Sequence, residues 1–132
     1  MRKESEWDIL NSFIKLFSAP PGRWETEVHL TDAALPLHSI SHSISKIYFP
    51  RIDAVFIPDS GKDYLIVEAK VVLSIEGLGQ LLAYRYLYSK QAGIPPENIR
   101  LIAVAAQSPK YVKDLYTEYK IEIYTPDGSR IA

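Results

Sequence analysis

Two acidic residues and a lysine in the middle of the chain are spaced as if to act together. Asp53 lies in residues 51–57, and Glu68 and Lys70 lie in residues 64–70; both segments read as strands of a β-hairpin. If the strands fold symmetrically about the turn between them, Asp53 lies directly opposite Glu68. Two carboxylates opposed in this way, roughly 5 Å apart, repel each other unless a cation sits between them. The spacing therefore predicts a metal site.

The alternation of side chains along the two strands also predicts which face each neighbouring residue occupies. One face is wholly apolar, formed by Ile52, Ala54, Phe56, Leu65, Val67, Ala69 and Val71. Lys70 stands two residues from Glu68 and shares its face, so its ammonium could orient a water molecule or stabilise nearby negative charge. A second interpretation stays open: cross-strand ion pairs that join Asp53 to Lys70 and Arg51 to Glu68 on a half-exposed sheet.

The pattern resembles the PD-(D/E)xK nuclease superfamily, in its RecB-like and archaeal Holliday-junction-resolvase-like branch. Asp53, then Glu68 and Lys70 as Glu-x-Lys, follow the order of the family motif, and Pro50 precedes the aspartate by three residues. Gln80 and Tyr84 match the Gln-x-x-x-Tyr signature of the RecB-like branch. The resemblance covers roughly residues 1–106 and implies a restriction-endonuclease-like αβββαβ core.

The resemblance also implies an activity, the divalent-metal-dependent hydrolysis of DNA phosphodiester bonds. Asp53, Glu68 and the carbonyl of Ala69 are expected to bind Mg²⁺ or Mn²⁺, and Lys70 is expected to assist the attacking water. Endonuclease and exonuclease action, and DNA and RNA substrates, are equally compatible with these residues. The alternative is a non-catalytic nucleic-acid-binding or assembly module that retains the fold.

Three further residues are candidates for the site. Gln80 would orient the water or Lys70, while Tyr84 would contact a phosphate, stack on a base or simply pack in the core. The family often adds a glutamate from the first helix. Glu6 is the expected one and Glu4 the alternative, although both residues also suit the helix dipole.

Hydrophobic periodicity predicts the order helix, strand, hairpin, helix, strand, helix, strand, independently of the motif residues. The predicted elements span residues 3–17, 24–30, 51–57, 64–70, 74–90, 99–106, 109–119 and 121–124. We therefore expect an α/β fold, with a mixed sheet flanked by helices and a single domain over residues 1–132. Residues 31–49 read as a loop or short helix; His38 and His42 there have the spacing of a zinc pair, with no third ligand nearby.

Composition limits the alternatives. The 132 residues are 47% hydrophobic, which argues against disorder, and the absence of cysteine excludes disulfides and cysteine-ligated metal centres. No apolar run approaches the roughly 18 residues of a membrane span, so a cytoplasmic protein is expected. The net charge of -1 counts against a general nucleic-acid binder, and a nuclease would have to concentrate its basic residues around the cleft.

Tyrosines suggest a homodimer. The helix predicted over residues 74–90 carries three, and Tyr116, Tyr119 and Tyr124 follow. Aromatic surface of this kind is enriched at interfaces, and a twofold dimer would double the phosphate contacts. The same residues could instead complete the core of a monomer.

Overall fold

The structure is a computed structural model that describes residues 4–31 and 51–132. The elements in chain order are α1 (Glu4–Leu16), β1 (Gly22–His29), β2 (Arg51–Pro58), β3 (Tyr64–Val72), α2 (Ile75–Ala92), a 3-10 turn (Pro96–Asn98), β4 (Ile99–Gln107), α3 (Lys110–Glu118) and β5 (Glu122–Tyr124). Across the described residues, the predicted order of elements is confirmed. The predicted loop or short helix and the His38–His42 pair fall outside these residues.

The five strands form one mixed sheet in the order β1-β2-β3-β4-β5. β2 pairs antiparallel with both β1 and β3, whereas β4 runs parallel to β3 and to β5. In the β2–β3 hairpin Ala54 pairs with Val67 and Phe56 with Leu65. This register is symmetric about the turn, as the sequence predicts, and its next pair outward is Asp53 with Glu68.

Helices cover both faces of the sheet. Leu10 and Phe13 of α1 pack in a cluster with Ala54, Val67 and Ala69 on one face. Side chains of α2 and α3 pack on the other face in a cluster that includes Val55, Ile66, Leu81, Ala103 and Tyr116. The predicted α/β architecture is therefore confirmed. Ile52 departs from the predicted alternation, because it belongs to the second cluster rather than to the face of Ala54.

Local sequence signals fix both ends of α2. The Ser74 hydroxyl accepts a hydrogen bond from the Gly77 N–H at 3.3 Å, so Ser74 is the N-cap that its position predicts. Gly93 ends the helix at φ 70°, in the left-handed region that glycine adopts without a steric penalty. α2 therefore begins three residues after β3 ends, at the edge of the sheet where the candidate site lies.

The tyrosines largely belong to the core. Tyr84, Tyr88, Tyr116 and Tyr124 are at most 6% exposed, while Tyr86 and Tyr119 are 59% and 49% exposed. The predicted aromatic interface is therefore wrong for four of its six members, because their rings fill the space between the helices and the sheet. None of the helices that the structure describes is both long and apolar enough to cross a bilayer.

Candidate metal-binding and catalytic site

The two carboxylates meet at one edge of the sheet. β2 begins at this edge, and the parallel strands β3 and β4 end there. Asp53 lies two residues before Val55 in β2, and Glu68 lies two residues after Ile66 in β3. Glu68 therefore points to the face that α2 and α3 cover, because side chains two residues apart in a strand share a face, and hydrogen bonds hold Asp53 beside it.

Side-chain hydrogen bonds replace the regular strand pairing at this level. The Ala69 N–H donates to Asp53 Oδ2 at 2.8 Å, and the Asp53 N–H donates to Glu68 Oε1 at 3.0 Å. The regular β2–β3 pairing ends one residue earlier, at Ala54 and Val67. Each carboxylate thus bridges from its own strand to the backbone of the other, which fixes both groups in place.

Burial makes this pair electrostatically costly. Asp53 is 7% exposed and Glu68 is 5% exposed, and they are the buried charged side chains of the described residues. Burial, followed by the charge of Asp53, raises the pKa of Glu68 from 4.5 to about 8. Without a cation the pair therefore holds a proton at neutral pH, as expected for two carboxyl groups that share one site.

The interpretation of the carboxylates as two ordinary ion pairs is not supported. The ion pairs found between described residues include neither Asp53 with Lys70 nor Arg51 with Glu68. That interpretation expects a half-exposed sheet, whereas both carboxylates are buried. The arrangement instead brings two carboxylates together at a buried position, where a cation would offset their charge.

Lys70 stands beside the pair and nearer to solvent. It is half-buried, lies two residues beyond Glu68 on the same face of β3, and its charge lowers the pKa of Glu68. An ammonium group at this position can reach solvent and the carboxylates together. This placement suits a group that acts on a substrate entering from the sheet edge.

The other neighbour of β2 is irregular at the same level. β1 pairs with β2 from Gly22 to His29 except at Glu27, which would face Asp53 and which has φ 52°. A positive φ is uncommon for glutamate and marks a local departure from strand geometry. The Glu27 side chain is exposed. Asp53 thus lies where regular pairing is interrupted on both sides.

Gln80 and Tyr84 lie on the face of α2 that packs on the sheet. Gln80 is half-buried, and its buried Oε1 accepts no hydrogen bond from the described residues. Tyr84 is 3% exposed within the core cluster, which suits the packing role that the sequence left open. Gln80 therefore retains an unused acceptor, whereas Tyr84 offers little surface to a base.

No third acidic or histidine side chain joins the pair within the described part of the chain. Residues 4–31 and 51–132 contain no group of three or more acidic or histidine side chains that could hold a metal ion. Glu6 is thus not brought to Asp53 and Glu68, because α1 packs on the opposite face of the sheet. The side chain of Glu4, the alternative, lies outside the described set.

Tyr116, which the sequence leaves open between an interface and the core, is a neighbour of the site. It is 1% exposed, and its hydroxyl donates to the Ser74 carbonyl at 2.6 Å. Burial, then the charge of Glu68, raises the pKa of Tyr116 to about 12, so the hydroxyl stays protonated. Its i, i+4 spacing from Val112, also buried, is the sequence signal that could have placed it in the core.

The donor set fits a hard divalent cation. Two carboxylates provide the anionic oxygen ligands that Mg²⁺ and Mn²⁺ prefer, and Mg²⁺ usually keeps several waters rather than filling its shell with protein groups. A cation would also compensate the charge that raises the pKa of Glu68. Ala69, the third ligand implied by the family resemblance, is adjacent in the chain, and its N–H is bonded to Asp53.

Comparison with known proteins supports the fold. The solved crystal structure of a repair endonuclease from Pyrococcus abyssi superposes with a TM-score of 0.58 and 16% sequence identity. The match covers 95% of this chain and 47% of that protein, so this chain spans about half of its length. At this identity the likeness shows a shared fold. No family model and no curated protein sequence matches the chain.

Proposed function

We propose that this protein is a divalent-metal-dependent deoxyribonuclease that hydrolyses phosphodiester bonds. The observation that carries the proposal is the buried, hydrogen-bonded pair of Asp53 and Glu68, with Lys70 on the same strand face. Membership of the PD-(D/E)xK superfamily is part of the proposal, and the fold shared with a repair endonuclease supports it.

The chain's own groups have distinct roles in this mechanism. Asp53 and Glu68 would hold the metal ion, with the Ala69 carbonyl as the proposed third ligand. A bound divalent ion would supply acidification of the attacking water and neutralisation of phosphate charge. Lys70 would orient that water and stabilise the negative charge that develops on the phosphate. Gln80, through its unused acceptor, would orient the water or the Lys70 ammonium.

DNA is the proposed partner, and a homodimer is the proposed active form. The net charge of -1 gives one subunit little general attraction for phosphates, so a second subunit would add contacts. Of the six tyrosines considered for the dimer interface, Tyr86 and Tyr119 are exposed and remain candidates for it. Light scattering at micromolar concentration tests it, and an active species near the 15.0 kDa monomer mass would contradict the dimer.

A substrate panel tests the proposed activity. Labelled duplex, single-stranded and four-way-junction DNA, with an RNA counterpart, would be incubated with protein and Mg²⁺ or Mn²⁺, and with chelator as the control. We expect cleavage of at least one DNA substrate only when metal is present. Asp53→Asn, which keeps a side-chain oxygen for the Ala69 N–H, should abolish cleavage without unfolding the protein.

The panel also separates the proposed enzyme from a binding module that retained the fold. Metal-independent binding of DNA with no cleavage of any substrate would favour the binding module. Equal cleavage by the wild type and Asp53→Asn would show a contaminating nuclease or a different site.

A further inference from the structure

The hydroxyl of Tyr116 in α3 lies against the first turn of α2. It donates to the Ser74 carbonyl at 2.6 Å, immediately before the helix begins. A Cβ added at Gly77 would come within 2.5 Å of this hydroxyl oxygen. Glycine at position 77 is therefore what allows the hydroxyl to approach so closely.

Gly77 and the Tyr116 hydroxyl would each lower the stability of the fold if the other were absent. Glycine inside a helix is less stable than alanine, and a hydroxyl on a side chain that is 1% exposed needs a hydrogen-bond partner. A phenylalanine at position 116 and an alanine at position 77 would fill similar space without either cost. The combination of Tyr116 with Gly77 therefore indicates that the hydrogen bond to Ser74 does more than fill space in the core.

The contact lies next to the candidate site. Tyr116 belongs to the same buried cluster as Ile66, which lies two residues before Glu68 on the same face of β3. The charge of Glu68 contributes to the raised pKa of the Tyr116 phenol. Gln80 follows Gly77 by three residues, so it lies about one turn further along the helix. The bond from Tyr116 to Ser74 therefore anchors the part of α2 that carries Gln80.

We propose that Tyr116 is a positioning residue for phosphodiester cleavage. Its bond to Ser74 fixes the start of α2 next to the end of β3, and this sets the position of Gln80, in the second turn of the helix, relative to that strand. This inference rests on the proposed nuclease function, and it assigns to Tyr116 no contact with the substrate.

The first test is Tyr116→Phe, which removes only the hydroxyl. Removing groups that orient active-site residues typically lowers activity roughly 10- to 100-fold. We expect kcat to fall by that factor, with KM little changed and Tm lowered by only a few degrees. Tyr111→Phe is the matched control, because Tyr111 is 69% exposed in the same helix and should keep full activity.

The second test uses Gly77 to separate stability from positioning. Gly77→Ala should lower Tm by roughly 3–10 °C, because its methyl group meets the hydroxyl. In Gly77→Ala/Tyr116→Phe the nearest remaining atoms, Tyr116 Cζ and Ser74 Oγ, lie 3.9 Å from the new Cβ. Tm should therefore recover, while kcat stays at the level of Tyr116→Phe. Gly79→Ala, at an open position, should raise Tm slightly.

The outcomes distinguish this inference from the proposed function. A wild type that cleaves no substrate overturns both. A wild type that cleaves, together with a folded Tyr116→Phe of equal kcat, overturns the positioning role alone. Recovery of kcat along with Tm in the double variant would also overturn it, because packing alone would then explain the effect.

Discussion

Lys70→Ala is expected to lower the rate of DNA cleavage at least about a hundredfold while leaving DNA affinity almost unchanged. Lys70 is half-buried on the strand face of Glu68, where its ammonium can stabilise charge that develops only in the transition state. An interaction made only in the transition state affects kcat and not substrate binding. Single-turnover cleavage and fluorescence anisotropy on the same labelled oligonucleotide measure the two quantities.

The control for this variant is Lys62→Ala, which removes an exposed lysine from the β2–β3 turn. Because the charge of Lys70 acts on Glu68 and would also act on a bound cation, its loss changes metal affinity, and the assay must use saturating metal. Wild-type cleavage by a folded Lys70→Ala protein would contradict the proposed mechanism. A parallel loss of affinity and rate would instead make Lys70 a binding residue.

The second large effect concerns stability and pH in the metal-free protein. Burial and the charge of Asp53 raise the pKa of Glu68 from 4.5 to about 8. Between these values the folded protein binds a proton that the unfolded chain does not, so unfolding free energy falls as pH rises. This contribution is fully present below pH 4.5 and lost by about pH 8; its size is a few kcal/mol.

Denaturation in chelator at pH 5.5 and pH 8 measures this loss, with Glu68→Gln as the comparison. The glutamine keeps an oxygen that can accept the Asp53 N–H, but it carries no charge at either pH. We expect wild-type stability to drop markedly between the two values and the variant to change much less. Parallel pH profiles for the two proteins would show that Glu68 is not the titrating group.

The sequence predicts the hairpin well because two independent signals agree there. The turn residues are centred between the strands, and the alternation of apolar side chains permits one register. That register places Asp53 at the level of Glu68, and the structure retains it. The sequence does not predict that both carboxylates bond to the opposite backbone, since this depends on how the strands separate beyond Ala54.

The position of Glu6 could not be deduced in the same way. Periodicity shows that α1 has an apolar face, but it does not say which face of the sheet that helix covers. The structure places α1 against Ala54 and Val67, on the side away from the carboxylates. The tyrosines illustrate a related limit, because Tyr84 and Tyr88 are buried while Tyr86 between them is exposed. Helical spacing separates them only once the face toward the sheet is known.

Binding of Mn²⁺ to wild type and Asp53→Asn, followed by electron paramagnetic resonance, tests the central claim most directly. Free Mn²⁺ gives a sharp signal that is lost on binding, so a titration yields stoichiometry and affinity without any substrate. We predict saturable binding by the wild type at pH 8, and at least about a tenfold weaker affinity in Asp53→Asn. Equal Mn²⁺ affinity in the two proteins would contradict the assignment of Asp53 and Glu68 as the metal site.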